Sequence, residues 1–329
     1  MTDEELEICE RGLEAVIGHY GMLVAKSSDG YVSHAATATF LRVDGKHFII
    51  TAHHVIAGLA RCGNVRLQLI GEEAVKAAET ANPPIELDLA IEQHLALPAW
   101  AGLDIAVLRA PAELYSFPHI GWFDINLQLD IVSQIRDHVS EIAPQRLACM
   151  ILGFPNYSRF VAPDDAIQLF GALPLWASFE RFDAVVPLDR WWSAKLTGCS
   201  CNTESPDHFD DLPSATDRTP QMVLKVESPL SENLSSNISP LTRLSAANFS
   251  QMVALAENQP ECEPFGGYSG GPIMYFCENG NYLTGIIKQG NAQFLSGPGP
   301  TRAGTVSPEI SVGYGVPIDV IVHVIRSYI

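Results

Sequence analysis

Gly267-Tyr268-Ser269-Gly270-Gly271-Pro272 sets a serine among glycines, the setting that an acyl-transfer turn requires. Gly267 and Gly270 let the backbone turn tightly and approach a carbonyl with no Cβ in the way. In such a turn the amides of Gly267 and Ser269 point at one oxygen, the arrangement of an oxyanion hole. A serine hydroxyl is a weak nucleophile alone, so the reading requires a base and an orienting acid elsewhere. Both lie upstream. Thr51-Ala52-His53-His54-Val55 follows the strand-like run Phe48-Ile49-Ile50, and Leu103-Asp104-Ile105-Ala106-Val107-Leu108 comes later. Leu87-Asp88-Leu89-Ala90-Ile91 repeats the second pattern, so the residue types leave His53 or His54, and Asp88 or Asp104, open. A plain Gly/Ser turn between strands is the competing reading of Ser269.

Taken in the order His, Asp, Ser, these stretches resemble the trypsin/chymotrypsin-like serine peptidases. Thr51-Ala52-His53-His54 is similar to the family's Thr-Ala-Ala-His box, Asp104-Ile105-Ala106-Val107-Leu108 to its Asp-Ile-Ala-Leu-Leu box, and Gly267–Pro272 to Gly-Asp-Ser-Gly-Gly-Pro. Leu283-Thr284-Gly285-Ile286-Ile287 resembles the strand beside the specificity pocket, and Tyr314-Gly315-Val316 with its following apolar helix resembles the family's ending. The resemblance spans roughly residues 35 to 329. It implies a catalytic triad of His54 as base, Asp104 as orienting acid and Ser269 as nucleophile, with Gly267 and Ser269 supplying the oxyanion hole. His54 is favoured because it fills the fourth position of its box, and Asp104 because its match is the fuller one.

The same resemblance places Glu263, six residues before Ser269, at the pocket floor, and Gly290 and Gly315 along the pocket wall. A carboxylate at the floor would favour Arg or Lys in the substrate; the alternative is an exposed Glu in Glu261-Cys262-Glu263-Pro264. Lys288 falls on the strand expected to pair with substrate backbone. Tyr268 departs from the family. It replaces the aspartate that pairs with a newly cut N-terminus, so other contacts, a partner or a ligand must order the turn. The implied activity is serine endopeptidase cleavage of a protein or peptide substrate, of restricted specificity and under regulation. A catalytically silent peptidase-fold interaction module and an esterase-like hydrolase are the alternatives.

Composition narrows the class further. The chain is 47% hydrophobic and 18% charged, enough for a substantial core. A formal charge of −18 opposes nucleic acid and anionic membranes as partners, since phosphate binding needs clustered Lys and Arg. No run approaches a membrane span in length. The first 20 residues lack a basic region followed by an apolar one. Seven cysteines is an odd number, and Val55 stands where many secreted members of that family carry a cysteine. Reduced thiols and a cytoplasmic location are the expectation. Cys199-Ser200-Cys201 is too close for an ordinary zinc pair, and no metal or cofactor is expected.

The expected fold is all-β, a two-lobed double β-barrel with an N-terminal and a C-terminal helix. Thr2 and Glu5 make a capping box, and Leu6, Cys9, Leu13, Val16 and Ile17 follow helical spacing over residues 3–18, within an extension at 1–20. Residues 21–123 form the first lobe, with strand patterns at 22–25, 36–43, 47–51, 65–69, 85–92 and 105–110. Residues 124–329 carry the second lobe, opening with a partly helical connection at 124–147. Strand patterns recur there at 147–153, 271–276, 282–288 and 311–317. Residues 197–240, rich in Ser, Thr, Asn, Asp and Pro, read as a polar surface insertion. Ile318, Ile321, Val322 and Ile325 space out a final helix.

Overall fold

The computed structural model describes residues 3–26, 32–60, 65–69, 85–96, 103–117, 120–141, 148–156, 159–161, 168–170, 172–182, 222–226, 240–258, 266–292 and 311–328. They begin with helix α1 (Asp3–Val16), strands β1 (Tyr20–Lys26), β2 (Val32–Val43) and β3 (Lys46–Ala52), and helix α2 (His53–Ala60). Strands β4 (Val65–Leu69) and β5 (Ile85–Asp88), the single turn α3 (Ile91–His94), β6 (Ile105–Arg109), β7 (Phe123–Asp124) and helix α4 (Leu129–Glu141) follow. Then come β8 (Ala148–Gly153), β9 (Arg159–Val161), β10 (Gln168–Phe170), β11 (Leu173–Phe182), β12 (Met222–Val226) and helix α5 (Pro240–Asn258). The chain closes with β13 (Pro272–Cys277), β14 (Gly280–Ala292), β15 (Ser311–Pro317) and helix α6 (Ile318–Tyr328). Thr2 of the expected capping box lies outside the described residues.

Two main sheets carry the architecture. The first runs β5-β4-β1-β2-β3-β6, with β7 parallel to β2. The second closes as a six-stranded antiparallel barrel, β11-β12-β15-β14-β13-β8. The chain is therefore strand-rich and consistent with a chymotrypsin-like fold, but two closed barrels are not present among the described residues. The first sheet stays open because the strand expected over 85–92 stops at Asp88. Ile91–His94 turns helical, and among the described residues of this stretch a bridge from Leu95 to Leu108 and the Ala96 amide on the Val107 carbonyl (2.8 Å) reach β6.

The first sheet is buried on both faces, which explains its sequence. Leu23, Ala36, Ala38, Phe40, Ile49, Ala106 and Leu108 point into a core shared with Val55 and Leu59 of α2. The alternate residues Met22, Val24, Leu41, Val43, Phe48, Ile50 and Val107 join the core of the barrel instead. With a side-chain period of two, one strand serves both cores. Thr37, Thr39 and Thr51 lie fully buried in these same strands. Helix α6 buries Ile318, Ile321, Val322 and Ile325 in the barrel core, and α1 adds Cys9 and Val16. Arg136 of α4 pairs with Asp319 of α6 while its guanidinium stacks 4.8 Å over Phe182, which satisfies a nearly buried charge.

Part of the segment read as a polar insertion is structural. Met222–Val226 pairs with β11 on one side and β15 on the other, so the barrel closes through it. Residues 197–221 and 227–239 of that segment lie outside the described residues.

Candidate active site

His54 is the second residue of α2, which starts where β3 ends, and this placement ties its backbone and ring to one carboxylate. The His54 amide donates to Asp104 Oδ1 at 2.9 Å, and Nδ1 meets Asp104 Oδ2 at 2.7 Å. Asp104 also accepts the His53 amide on its carbonyl at 3.1 Å. It sits just before β6 with φ of 54°, a left-handed conformation that a short Asp side chain tolerates. An ionised carboxylate only accepts, so Nδ1 carries the proton and Nε2 presents its lone pair. Nε2 lies 3.2 Å from Ser269 Oγ. The hydroxyl also donates to the Lys288 carbonyl at 3.1 Å, so its single proton has two acceptors.

The turn that bears Ser269 is held carbonyl by carbonyl. Gly266 O accepts the Asn156 amide at 2.9 Å, and Gly267 O takes the Thr37 hydroxyl at 2.6 Å. Tyr268 O accepts the Gly271 amide at 2.8 Å and Ser269 O the Thr37 amide at 3.1 Å. Gly270 O accepts the Thr39 hydroxyl at 2.8 Å and Gly271 O the Ile287 amide at 2.9 Å. Among the described residues, no acceptor engages the Gly267 or Ser269 amide. Both glycines are obligatory here. Gly267 has φ of 95° and a Cβ would lie 2.0 Å from Phe154 O; Gly270 has φ of 90° and a Cβ would lie 2.1 Å from Thr37 O.

The structure brings together His54, Asp104 and Ser269, leaves His53 beside them, and places Asp88 elsewhere. Asp88 is an exposed partner of Arg66, 3.0 Å from its Nε. His53 is half-buried, and burial lowers its pKa even though Asp104 pulls it upward. Lys288 is the extra residue of a β-bulge between Ile287 and Gln289. Its side chain is partly buried, which lowers its pKa, with the Asp104 charge acting in the opposite direction. Gly290 lies in β14 opposite Gly313. Gly315 directs its missing Cβ at Ile273 Cδ1, 2.4 Å away. Glu263 lies outside the described residues.

Several supporting residues escaped the sequence reading. Thr37 and Thr39 alternate with Ala36, Ala38 and Phe40, a pattern that suggests a solvated strand face. Asn248, on α5, donates to Tyr268 OH at 2.7 Å and to Pro174 O at 2.9 Å. Its helix carries Ser245, Asn248, Phe249 and Met252 on one buried stripe at helical spacing, a signal diluted by the two polar residues.

No family model matches the chain, and no curated protein matches it by sequence. Solved structures resemble it at low identity, the following among them. Deg5 does so at 12% identity and a TM-score of 0.45, over 98% of this chain and 94% of that one. A serine endoprotease from Yersinia pestis has 11% identity and a TM-score of 0.42, over 100% of this chain and 67% of that one. A protease from M. tuberculosis, in its active form, has 12% identity and a TM-score of 0.41, over 98% and 86%. Among the described residues no helix is long and apolar enough to cross a membrane.

Proposed function

We propose that the chain is a serine endopeptidase in which His54, Asp104 and Ser269 act as a triad and the Gly267 and Ser269 amides stabilise the oxyanion. The reading is carried by the continuous path from Asp104 Oδ2 through His54 (2.7 Å) to Ser269 Oγ (3.2 Å), in a turn whose Gly267 and Ser269 amides meet no acceptor among the described residues. Ser269 Oγ attacks the substrate carbonyl carbon as Nε2 takes its proton. The carbonyl oxygen gains the electron pair and sits against the two amides. When the tetrahedral species collapses, the C–N bond breaks and Nε2 returns the proton to the leaving amine. Water then hydrolyses the acyl-enzyme by the same proton path in reverse. Asp104 fixes the tautomer throughout and steadies the imidazolium. With the His54 side chain 34% exposed, substrate reaches Nε2 from solvent.

Two finer points belong to the proposal. Among the described residues Cys149 and Cys277 are free thiols, the state that a reducing intracellular compartment maintains. Selectivity for a substrate side chain and control by a partner are proposed on the same basis as the peptidase reading. The test is fluorophosphonate labelling together with cleavage of a peptide library. Labelling and cleavage should vanish in Ser269→Ala, and His54→Ala should cut turnover by about 10⁶. His53→Ala should cost far less. Labelling without peptide cleavage would mark an esterase-like hydrolase, and neither would mark a silent module. A His53→Ala variant deadlier than His54→Ala would refute the assignment of the base.

A further inference from the structure

Tyr268 stands between the two amides assigned to the oxyanion, yet its side chain turns away from the site and is wholly buried. The ring packs against Gly153, where a Cβ would lie only 2.7 Å from Tyr268 Cδ1. Its hydroxyl accepts a hydrogen bond from Asn248 Nδ2 at 2.7 Å. Asn248 is 2% exposed, lies within α5, and is fixed in turn by donating to Pro174 O at 2.9 Å at the start of β11. Helix α5 thus reaches the nucleophile turn through a polar contact inside the protein.

Gly267 and Gly270 both have positive φ and no side chain, so the two amide-bearing peptide planes are held by their carbonyl bonds, Gly266 O to the Asn156 amide at 2.9 Å and Tyr268 O to the Gly271 amide at 2.8 Å, and by the one bulky side chain between them. The peptide joining Tyr268 to Ser269 carries one of the two amides, and the peptide joining Gly266 to Gly267 carries the other. Tyr268 is the bulky residue between these planes, and its hydroxyl is the far end of the lever that sets their tilt. Oxyanion donors are effective only when aimed at the position where charge develops.

We propose that Asn248 is a positioning residue for the oxyanion turn, acting through the Tyr268 hydroxyl, so that the site is competent only while α5 is docked with Asn248 in place. This rests on the peptidase reading above and adds to it the element that orders its site. Loss of the contact leaves substrate binding and the His54–Ser269 pair intact but widens the range of tilts the two amides sample. The effect therefore falls on the transition state, in kcat and not KM.

The experiment compares wild type, Tyr268→Phe, Asn248→Ala and the double variant. Each is corrected for folded protein by thermal melting and for competent sites by titration with a fluorophosphonate. Tyr268→Phe removes one oxygen, keeps the ring, and leaves Asn248 its bond to Pro174, so it is the milder change. Removing one oxyanion donor outright costs about 10²–10³ in kcat. Loosening both should cost roughly ten- to a hundredfold in kcat, with KM within about twofold, in each single variant. The double variant should be no worse than the poorer single one, since both break the same contact. Affinity for a peptide aldehyde, which forms the tetrahedral adduct, should fall by the same factor as kcat.

A purely structural role would lower the melting temperature while leaving kcat per competent site unchanged, and that outcome overturns the inference. So does a double variant whose loss is the product of the singles. If Asn248→Ala does not fold, Tyr268→Phe alone decides: a kcat within twofold of wild type refutes the proposal. A wild type that neither labels nor cleaves removes the peptidase reading and this inference with it. An active wild type with unaffected variants removes the inference alone.

Discussion

Replacing Thr37 by valine isolates one hydroxyl that joins the two sheets across the site. Thr37 is fully buried in β2, and its Oγ1 serves two backbone groups of the other sheet and its turns. It donates to Gly267 O at 2.6 Å and accepts the Phe154 amide at 3.1 Å. Valine keeps the β-branched shape and the backbone bonds, including Thr37 N to Ser269 O and Thr51 Oγ1 to Thr37 O. Only the hydroxyl is lost, and two buried polar groups are left without partners. Each such orphan costs about 1–3 kcal/mol, so the change should destabilise the protein by about 2–6 kcal/mol. Against a total of about 5–15 kcal/mol that is a large fraction. Thr39→Val orphans one group, Gly270 O, and should cost about 1–3 kcal/mol. Thr37→Ser keeps the hydroxyl and removes one methyl, for about 1 kcal/mol. Urea unfolding followed by two probes, with equal slopes across the variants, measures the series. If Thr37→Val costs no more than Thr39→Val or Thr37→Ser, the hydroxyl does not bridge the two groups, and the account of how the turn is held fails.

Two further perturbations probe the same turn from different sides. Gly270→Ala puts a methyl 2.1 Å from Thr37 O at φ of 90°, so it should add backbone displacement to strain of about 1–3 kcal/mol and abolish activity. Gly45→Ala is the control: φ is 76° with open space around it, so it should show the strain alone in thermal melting and leave activity unchanged. Lys288→Met should stabilise the protein at neutral pH by removing a partly buried ammonium, whose pKa desolvation holds below its ordinary 10.5. The sign follows from proton counts. Between the lowered folded pKa and 10.5 the unfolded chain binds more protons, so wild type gains stability as pH rises while Lys288→Met does not. The difference between the two, measured by denaturation from neutral pH to about pH 11, should shrink with rising pH; a constant or growing difference would contradict the burial of that charge.

How much of this was legible beforehand depended on whether a residue's partner was near in sequence or only in space. The Ser269 turn, the strands at 65–69 and 311–317, and the last helix declare themselves locally, through glycines that permit positive φ and through periods of two or 3.6. The choice between Asp88 and Asp104 is not local. Both precede alternating apolar residues, and only the antiparallel pairing of β6 with β3, which sets Ile105 beside Ala52, delivers Asp104 to the start of α2. The two threonines of β2 were misleading for a different reason. Alternation with Ala36, Ala38 and Phe40 is what a half-solvated strand displays, but here the second face is covered by the barrel. The available sign was the absence of charge from Ala35 to Leu41: a solvated face seven residues long would be expected to carry some. Composition hid β12, because it averages over a segment whereas burial is decided residue by residue, and α5 drew no reading at all. Lys225 sits beside Met222, Leu224 and Val226 in a barrel strand, and Asn248 beside Phe249 in a buried stripe. A buried polar residue with a partner leaves no hydrophobic trace, so the contacts that hold a site together are the ones a sequence least declares.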